Sequence, residues 1–143
     1  MTIDRILGVK GRDVTSTQPH RTLLEVAAIL SEKRIGAIIV TDASGELLGI
    51  LSERDIVRAV AHQGAAALDD PVSRHMTAKV VTLTRETSVT TAMEQMTEGR
   101  FRHMPVLRAG RIEGVISIGD VVKYRLAEIE GEHQALRDYI ATA

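Results

Sequence analysis

Gly49-Ile50-Leu51-Ser52-Glu53-Arg54-Asp55 returns further along the chain as Gly114-Val115-Ile116-Ser117-Ile118-Gly119-Asp120. The stretch ahead of each copy repeats too, Ile35-Gly36-Ala37-Ile38-Ile39-Val40 against Phe101-Arg102-His103-Met104-Pro105-Val106. Val106 follows Val40 by 66 positions and Asp120 follows Asp55 by 65, so one residue is lost between the two β-rich runs of the second copy. Hairpin tips tolerate such a loss. An internal repeat sets the structural unit before any other reading, and here the unit is about half of the 143 residues.

Working outward, each unit starts with a short extended piece, Val14-Thr15-Ser16-Thr17 or Val80-Val81-Thr82-Leu83. A helix follows. In the first copy Thr22 and Glu25 have capping-box spacing ahead of Leu23, Val26, Ala27 and Leu30. In the second, Ser88 takes the cap position and Val89, Ala92, Met93 and Met96 the apolar face. Residues 37–41 with 47–51, and 104–107 with 112–116, read as antiparallel hairpins. Ser52 then opens a helix to about His62, and Ser117 opens one running toward the C-terminus.

The expected class is α/β (α+β), with two β-α-β-β-α units packed as a pseudo-twofold module. Unit 1 covers 8–63, a structured connector 64–78, unit 2 79–130, and a helical tail 131–143. In the connector, Asp70 can cap and Pro71 can take the first position of a short helix. With few Gly, Ser and Pro residues it is no flexible linker, so the halves are expected to pack as one body.

Composition narrows the function classes. A net charge of −1 and 44% hydrophobic residues give no electrostatic reason to expect nucleic acid or an anionic membrane as partner. With no Trp, one Phe and two Tyr, a planar ligand would have to sit between aliphatic side chains. The absence of cysteine excludes thiol catalysis and fits a reducing cytoplasm, and no apolar run approaches a membrane span or signal peptide. Histidines 20, 62, 75, 103 and 133 show no metal-ligand spacing, so no metal is expected. Nucleophilic triads and phosphate-binding glycine loops are likewise absent, and no enzyme is expected.

Ser52 with Asp55, and Ser117 with Asp120, satisfy capping-box spacing. A helix N-terminus also presents unpaired N–H groups and positive potential, which suits a phosphate, while a carboxylate beside it can accept two ribose hydroxyls. Both readings hold together. Arg54, Arg100, Arg102 and His103 border the same region, and Arg pairs with phosphate in a planar, bidentate manner.

The order of these motifs, with Lys10-Gly11, Ser52-Glu53-Arg54-Asp55, Arg102-His103-Met104-Pro105-Val106 and Ser117-Ile118-Gly119-Asp120, resembles a tandem CBS-domain pair, or Bateman module, of the small stand-alone bacterial kind. The resemblance covers about residues 8 to 130. It implies a regulatory module that dimerises into a flat disc. It also implies an adenosyl ligand (AMP, ADP, ATP, NAD or S-adenosylmethionine) in two clefts between the units, its occupancy passed to a regulated protein whose identity the sequence does not give. Asp55 and Asp120 would hold ribose, with Ser52 and Ser117 near phosphate and Gly119 between Ser117 and Asp120. Lys10 would lie beside a cleft. Backbone and aliphatic groups of Thr15, Ser16, Thr17, Gly36, Ala37 and Ile38, and of Val81, Thr82, Leu83, Met104 and Pro105, would cover the adenine. The copies differ at Ala37-Ile38 against His103-Met104, so the clefts are expected to differ in ligand. The alternative of another class is an interaction or scaffold module with vacant clefts.

After Asp120, residues Val122, Leu126, Ile129, His133, Leu136 and Ile140 recur at spacings of four and three, a heptad seam of under three heptads interrupted by Gly131. This tail either packs on its own module or joins a twofold dimer contact.

Overall fold

The computed structural model describes residues 1–11 and 13–142. Arg12, inside the expected first unit, and Ala143, the last residue of the tail, lie outside the described residues. The elements are α1 (Ile3–Lys10), β1 (Ser16–Thr17), α2 (Leu23–Lys33), β2 (Ala37–Thr41), β3 (Leu47–Ser52), α3 (Glu53–Gln63), α4 (Val72–His75), α5 (Val89–Gly99), β4 (His103–Arg108), β5 (Arg111–Ser117) and α6 (Ile118–Thr142). A 3-10 turn at Gly64–Asp69 joins α3 to α4.

Both copies fold alike, as the repeat demands. β1 pairs parallel with β2, and β2 antiparallel with β3. In the second unit β4 pairs with β5, and the first strand shrinks to a single parallel bridge between Leu83 and Val106. Each hairpin carries a bulge at the same place, Val40/Thr41 and Val106/Leu107. Helices α2 and α5 are capped by Thr22 and Ser88, whose hydroxyls accept from the amides of Glu25 and Thr91; each such cap stabilises by about 1 kcal/mol. Both helices end on an arginine in the left-handed region, Arg34 at φ 54° and Arg100 at φ 56°.

Two apolar cores result, and their membership was not expected. Leu23, Val26, Leu30, Ile38, Val40 and Leu51 form the first, completed by Val72 of α4. Leu83, Val89, Met96, Met104, Val106 and Ile116 form the second, completed by Ile3, Ile6 and Leu7 of α1. Each unit's leading segment therefore packs on the other unit. Glycines make the crossings possible: a Cβ on Gly49 would lie 2.7 Å from the Met76 sulfur and the Thr77 carbonyl oxygen, and one on Gly114 would lie 2.6 Å from Leu7 Cδ2. The exchange joins the halves through their interiors, so they pack as one body.

Residues 3–10, ahead of the first repeat, form a helix fastened to the second unit. Its Ile3 and Asp4 amides donate to the carbonyls of Thr87 and Arg85, and the Asp4 carboxylate pairs with Arg85 at 2.5 Å. Pro71 is the N-cap of α4 rather than its first residue, because its ψ of 146° is extended. The Asp70 carboxylate pairs with Arg74 and His75 further along. The helix opened at Ser117 continues into the tail: α6 runs unbroken through Gly131 for 25 residues, since one glycine costs a helix only about 1 kcal/mol.

Candidate functional site

The Ser-x-x-Asp motif closes in both units. Ser52 Oγ accepts from the Asp55 amide at 3.3 Å while Asp55 Oδ2 accepts from the Ser52 amide at 2.8 Å. Ser117 and Asp120 repeat this at 3.1 and 2.9 Å. Two further equivalent bonds set the entry into each helix, Glu53 N–H to the Gly36 carbonyl and Ile118 N–H to the Arg102 carbonyl. Helices α3 and α6 thus start at matching places beside the first hairpin strand of their own half.

At the first motif lies a cavity of about 230 Å³ walled by both units. Ser52, Glu53, Arg54, Asp55 and Arg58 of the α3 start face Lys79, Val80 and Val81 at the start of the second unit. Gly99, Arg100, Phe101, Arg102 and His103 close the far side. Ile50, Thr77 and Gly36 complete the wall. Five cationic side chains line it against two acidic ones. Asp55 Oδ2 serves the cap, while Oδ1 has Arg58 at a loose 3.9 Å, leaving a half-buried acceptor at the mouth of a helix dipole. Arg100, held at positive φ where a side chain is costly, lies on the same wall.

The second motif differs in one respect. Lys10 Nζ reaches from α1 to Asp120 Oδ2 at 2.5 Å and to the Val115 carbonyl at 2.7 Å. The 66-residue offset pairs Lys10 with Met76, whose sulfur lies over Gly49, so no ammonium reaches Asp55 from that direction. Burial opposes ionisation of Asp120, but the Lys10 ammonium and the Ser117 amide together hold its carboxyl below the usual carboxylate range. Where the first cavity has Arg54, Lys79 and Arg102, the equivalent positions are Gly119, Asp13 and Gly36.

His103 stands between the two motifs. Burial and the Lys10 charge hold its imidazole below the ordinary histidine range, with Arg102 acting the same way and Glu53 and Asp120 opposing. Its ring would lie 3.2 Å from a Cβ on Gly36, so this glycine lets the two halves meet.

Of the expected residues, Gly36, Ser52, Arg54, Asp55, Val81, Arg102 and His103 come together in the first cavity. Lys10, Ser117 and Asp120 meet at the second motif, with Gly119 beside the Ser117 hydroxyl. Ile38, Leu83 and Met104 are core side chains, and Thr17 and Pro105 are buried in the sheets. Ser16 and Ala37 sit in the first sheet, opposite Ile39 and Ser52. The Thr15 carbonyl accepts from Ile39 N–H, and Thr82 is half-buried. Sequence reasoning missed Glu53, Arg58 and Lys79. Arg58 alone had a signal, standing three residues after Asp55 on one helix face. The expectation of a purely aliphatic surround also needs correcting, since the single phenylalanine, Phe101, lines the cavity. Among the described residues no cluster of three or more His, Asp or Glu could hold a metal ion, and no helix is long and apolar enough to cross a membrane.

Comparison with known proteins agrees with this architecture. The CBS domain family matches twice, over residues 9–62 and 72–127. A CBS-domain-containing protein of Agrobacterium tumefaciens superposes with a TM-score of 0.86 at 50% identity, over 87% of this chain and 99% of that one. A CBS domain protein of Pyrobaculum aerophilum, solved in complex with AMP, superposes with a TM-score of 0.74 at 30% identity, over 84% and 89%. An uncharacterised 17.7 kDa protein of Acidianus ambivalens is 35% identical over 107 residues, which are 74% of this chain; the match spans only 63% of that relative's length. Two family matches laid over two exchanged halves lead to one conclusion: the chain belongs to the CBS-domain family and carries two CBS domains in tandem.

Proposed function

We propose that the chain is a regulatory adenosyl-ligand sensor whose principal site is the cavity at Ser52 and Asp55. The carrying observation is a carboxylate with a spare oxygen at a helix N-terminus, inside a cavity walled by both units and lined by five cationic side chains. Asp55 accepts the ribose hydroxyls. The α3 amides, Arg54 and Arg102 take the phosphate, and Val80, Val81 and Phe101 cover the base. The AMP complex of the Pyrobaculum relative supports this ligand class, within which AMP, ADP, ATP, NAD and S-adenosylmethionine are the candidates.

The cation excess favours the phosphate-bearing members in this cavity. Asp120 serves as a second ribose site through Oδ1, since Lys10 and the Ser117 amide both use Oδ2, and it binds phosphate-bearing ligands more weakly because Gly119, Asp13 and Gly36 stand where the first cavity has Arg54, Lys79 and Arg102. Because both halves wall the first cavity, a bound ligand shifts their relative arrangement by its differential affinity for the two states. A partner protein reads that arrangement. The module acts without catalysis, as a homodimer, in the cytoplasm.

A thermal-shift screen against AMP, ADP, ATP, NAD and S-adenosylmethionine tests the reading. A ligand at a hundred times its Kd stabilises by about 2.7 kcal/mol, and the same ligand should shift Asp55→Ala markedly less, through the weaker second site alone. No shift with any of the five would contradict the proposal and favour a scaffold role.

A further inference from the structure

Among the described residues His103 is the single histidine lining the first cavity, and its ring sits where the two halves meet. β4 carries it from the second unit, yet Cε1 and Nε2 both lie 3.2 Å from where a Cβ on Gly36 of the first unit would stand. Its pairing with Ser117 across the hairpin fixes it next to the second cap, while the cavity it lines opens at the first. The 66-residue offset puts Ala37 at the equivalent place beside the second motif. The ring has no counterpart there.

Burial is the largest influence on the ring and disfavours its charged form. Lys10 at the end of α1 and Arg102 on its own strand act in the same direction, while Glu53 of α3 and Asp120 of α6 favour a proton. Arg54, Asp55, Arg58, Lys79 and Arg100 are the other ionisable groups of the cavity wall. None of these influences is a hydrogen bond to the ring, so the imidazole is free to answer a new charge. A phosphate drawn to the five cationic side chains brings that charge to the wall His103 shares, in a site partly shielded from water where opposite charges attract more strongly.

We infer that His103 takes a proton from solvent onto its unprotonated ring nitrogen when an anionic ligand enters the first cavity, and so recognises the phosphate as a cation that appears on binding. The inference rests on the Asp55 cavity being the ligand site proposed above. Linkage is reciprocal: the factor by which the anion strengthens proton binding is the factor by which the proton strengthens anion binding. The first site therefore holds phosphate-bearing ligands more tightly as pH falls, and the second, with Ala37 in place of the ring, lacks this dependence.

Five histidines are few enough for NMR of the ring carbons to follow each one in the full chain between about pH 5 and pH 8. His103→Asn, with His103→Gln in reserve, identifies the His103 signal by its loss. The probes are AMP, inorganic sulfate at constant ionic strength, and adenosine. Saturating AMP or sulfate should raise the His103 midpoint by about one pH unit, and adenosine should leave it in place. In calorimetry, the AMP affinity of the wild-type chain relative to the variant should grow about fivefold between pH 8 and pH 5.5, a ratio in which the titration of the AMP phosphate cancels. A midpoint moved by neither anion, a midpoint moved equally by adenosine, or an affinity ratio independent of pH would each overturn the inference. A midpoint that sulfate raises while AMP gives no binding heat upholds the anion-linked proton and contradicts the adenosyl reading of the cavity instead.

Discussion

The two halves carry the same Ser-x-x-Asp cap on the same fold, yet one faces an open cationic cavity and the other is already held by a lysine. The Ser and Asp of the motif do not make the difference. It comes in part from the residue between them, Arg54 against Gly119, and in part from the segment that crosses over from the other half, which supplies Met76 to the first unit and Lys10 to the second. Duplication followed by exchange of leading segments gives one scaffold two unequal sites. A repeated motif thus fixes a helix start without fixing what binds there.

That contrast can be broken first at the crossings themselves. At Gly49 an added Cβ meets a backbone carbonyl, whereas at Gly114 it meets the flexible tip of Leu7. Gly49→Ala should therefore cost about 2–3 kcal/mol in denaturant unfolding, and Gly114→Ala less than about 1 kcal/mol. Equal losses would mean the crossings are equally tight.

The cation excess comes next. Arg102→Ala should weaken AMP binding about tenfold by calorimetry and leave adenosine unchanged. Gly36, its equivalent by the 66-residue offset, supplies no such charge to the second motif.

Lys10→Met makes the second unit resemble the first. The pair is partly exposed, with side-chain exposures of 37% and 25%, so the loss at neutral pH should stay under about 1 kcal/mol. The sign follows from Asp120, whose folded carboxyl titrates below its ordinary 3.8. Its stabilisation is present above that pH and disappears as pH falls through the lower folded value. Unfolding of the two proteins should therefore differ at pH 7 and converge in acid.

The smallest effect belongs to His103, between the sites. Because its folded imidazole titrates below the ordinary 6.5, the unfolded chain binds a proton more readily, and stability should decline as pH drops below 6.5. His103→Asn should flatten that part of the pH profile.

What the sequence made legible was local. Cap spacing identified the starts of α2, α3, α5 and α6, and β-branched runs around Gly-containing turns located both hairpins, because these signals lie within a few residues of each other. The resemblance added the cleft and the two carboxylates proposed to hold ribose. Lys10 on Asp120, 110 positions apart, left no signal of its own, and neither did Leu7 on Gly114. Contacts of that separation are set by how the units exchange segments, which no local periodicity encodes. The continuity of α6 through Gly131 was obscured for the opposite reason: a local penalty was outweighed over 25 residues.

The central claim is that the two caps are unequal as binding sites. Isothermal titration with AMP of the wild-type chain, Asp55→Ala and Asp120→Ala tests it most directly. The account predicts that Asp55→Ala removes the tighter binding event while Asp120→Ala leaves it within about twofold. Equal loss in the two variants, or loss in Asp120→Ala alone, would contradict it.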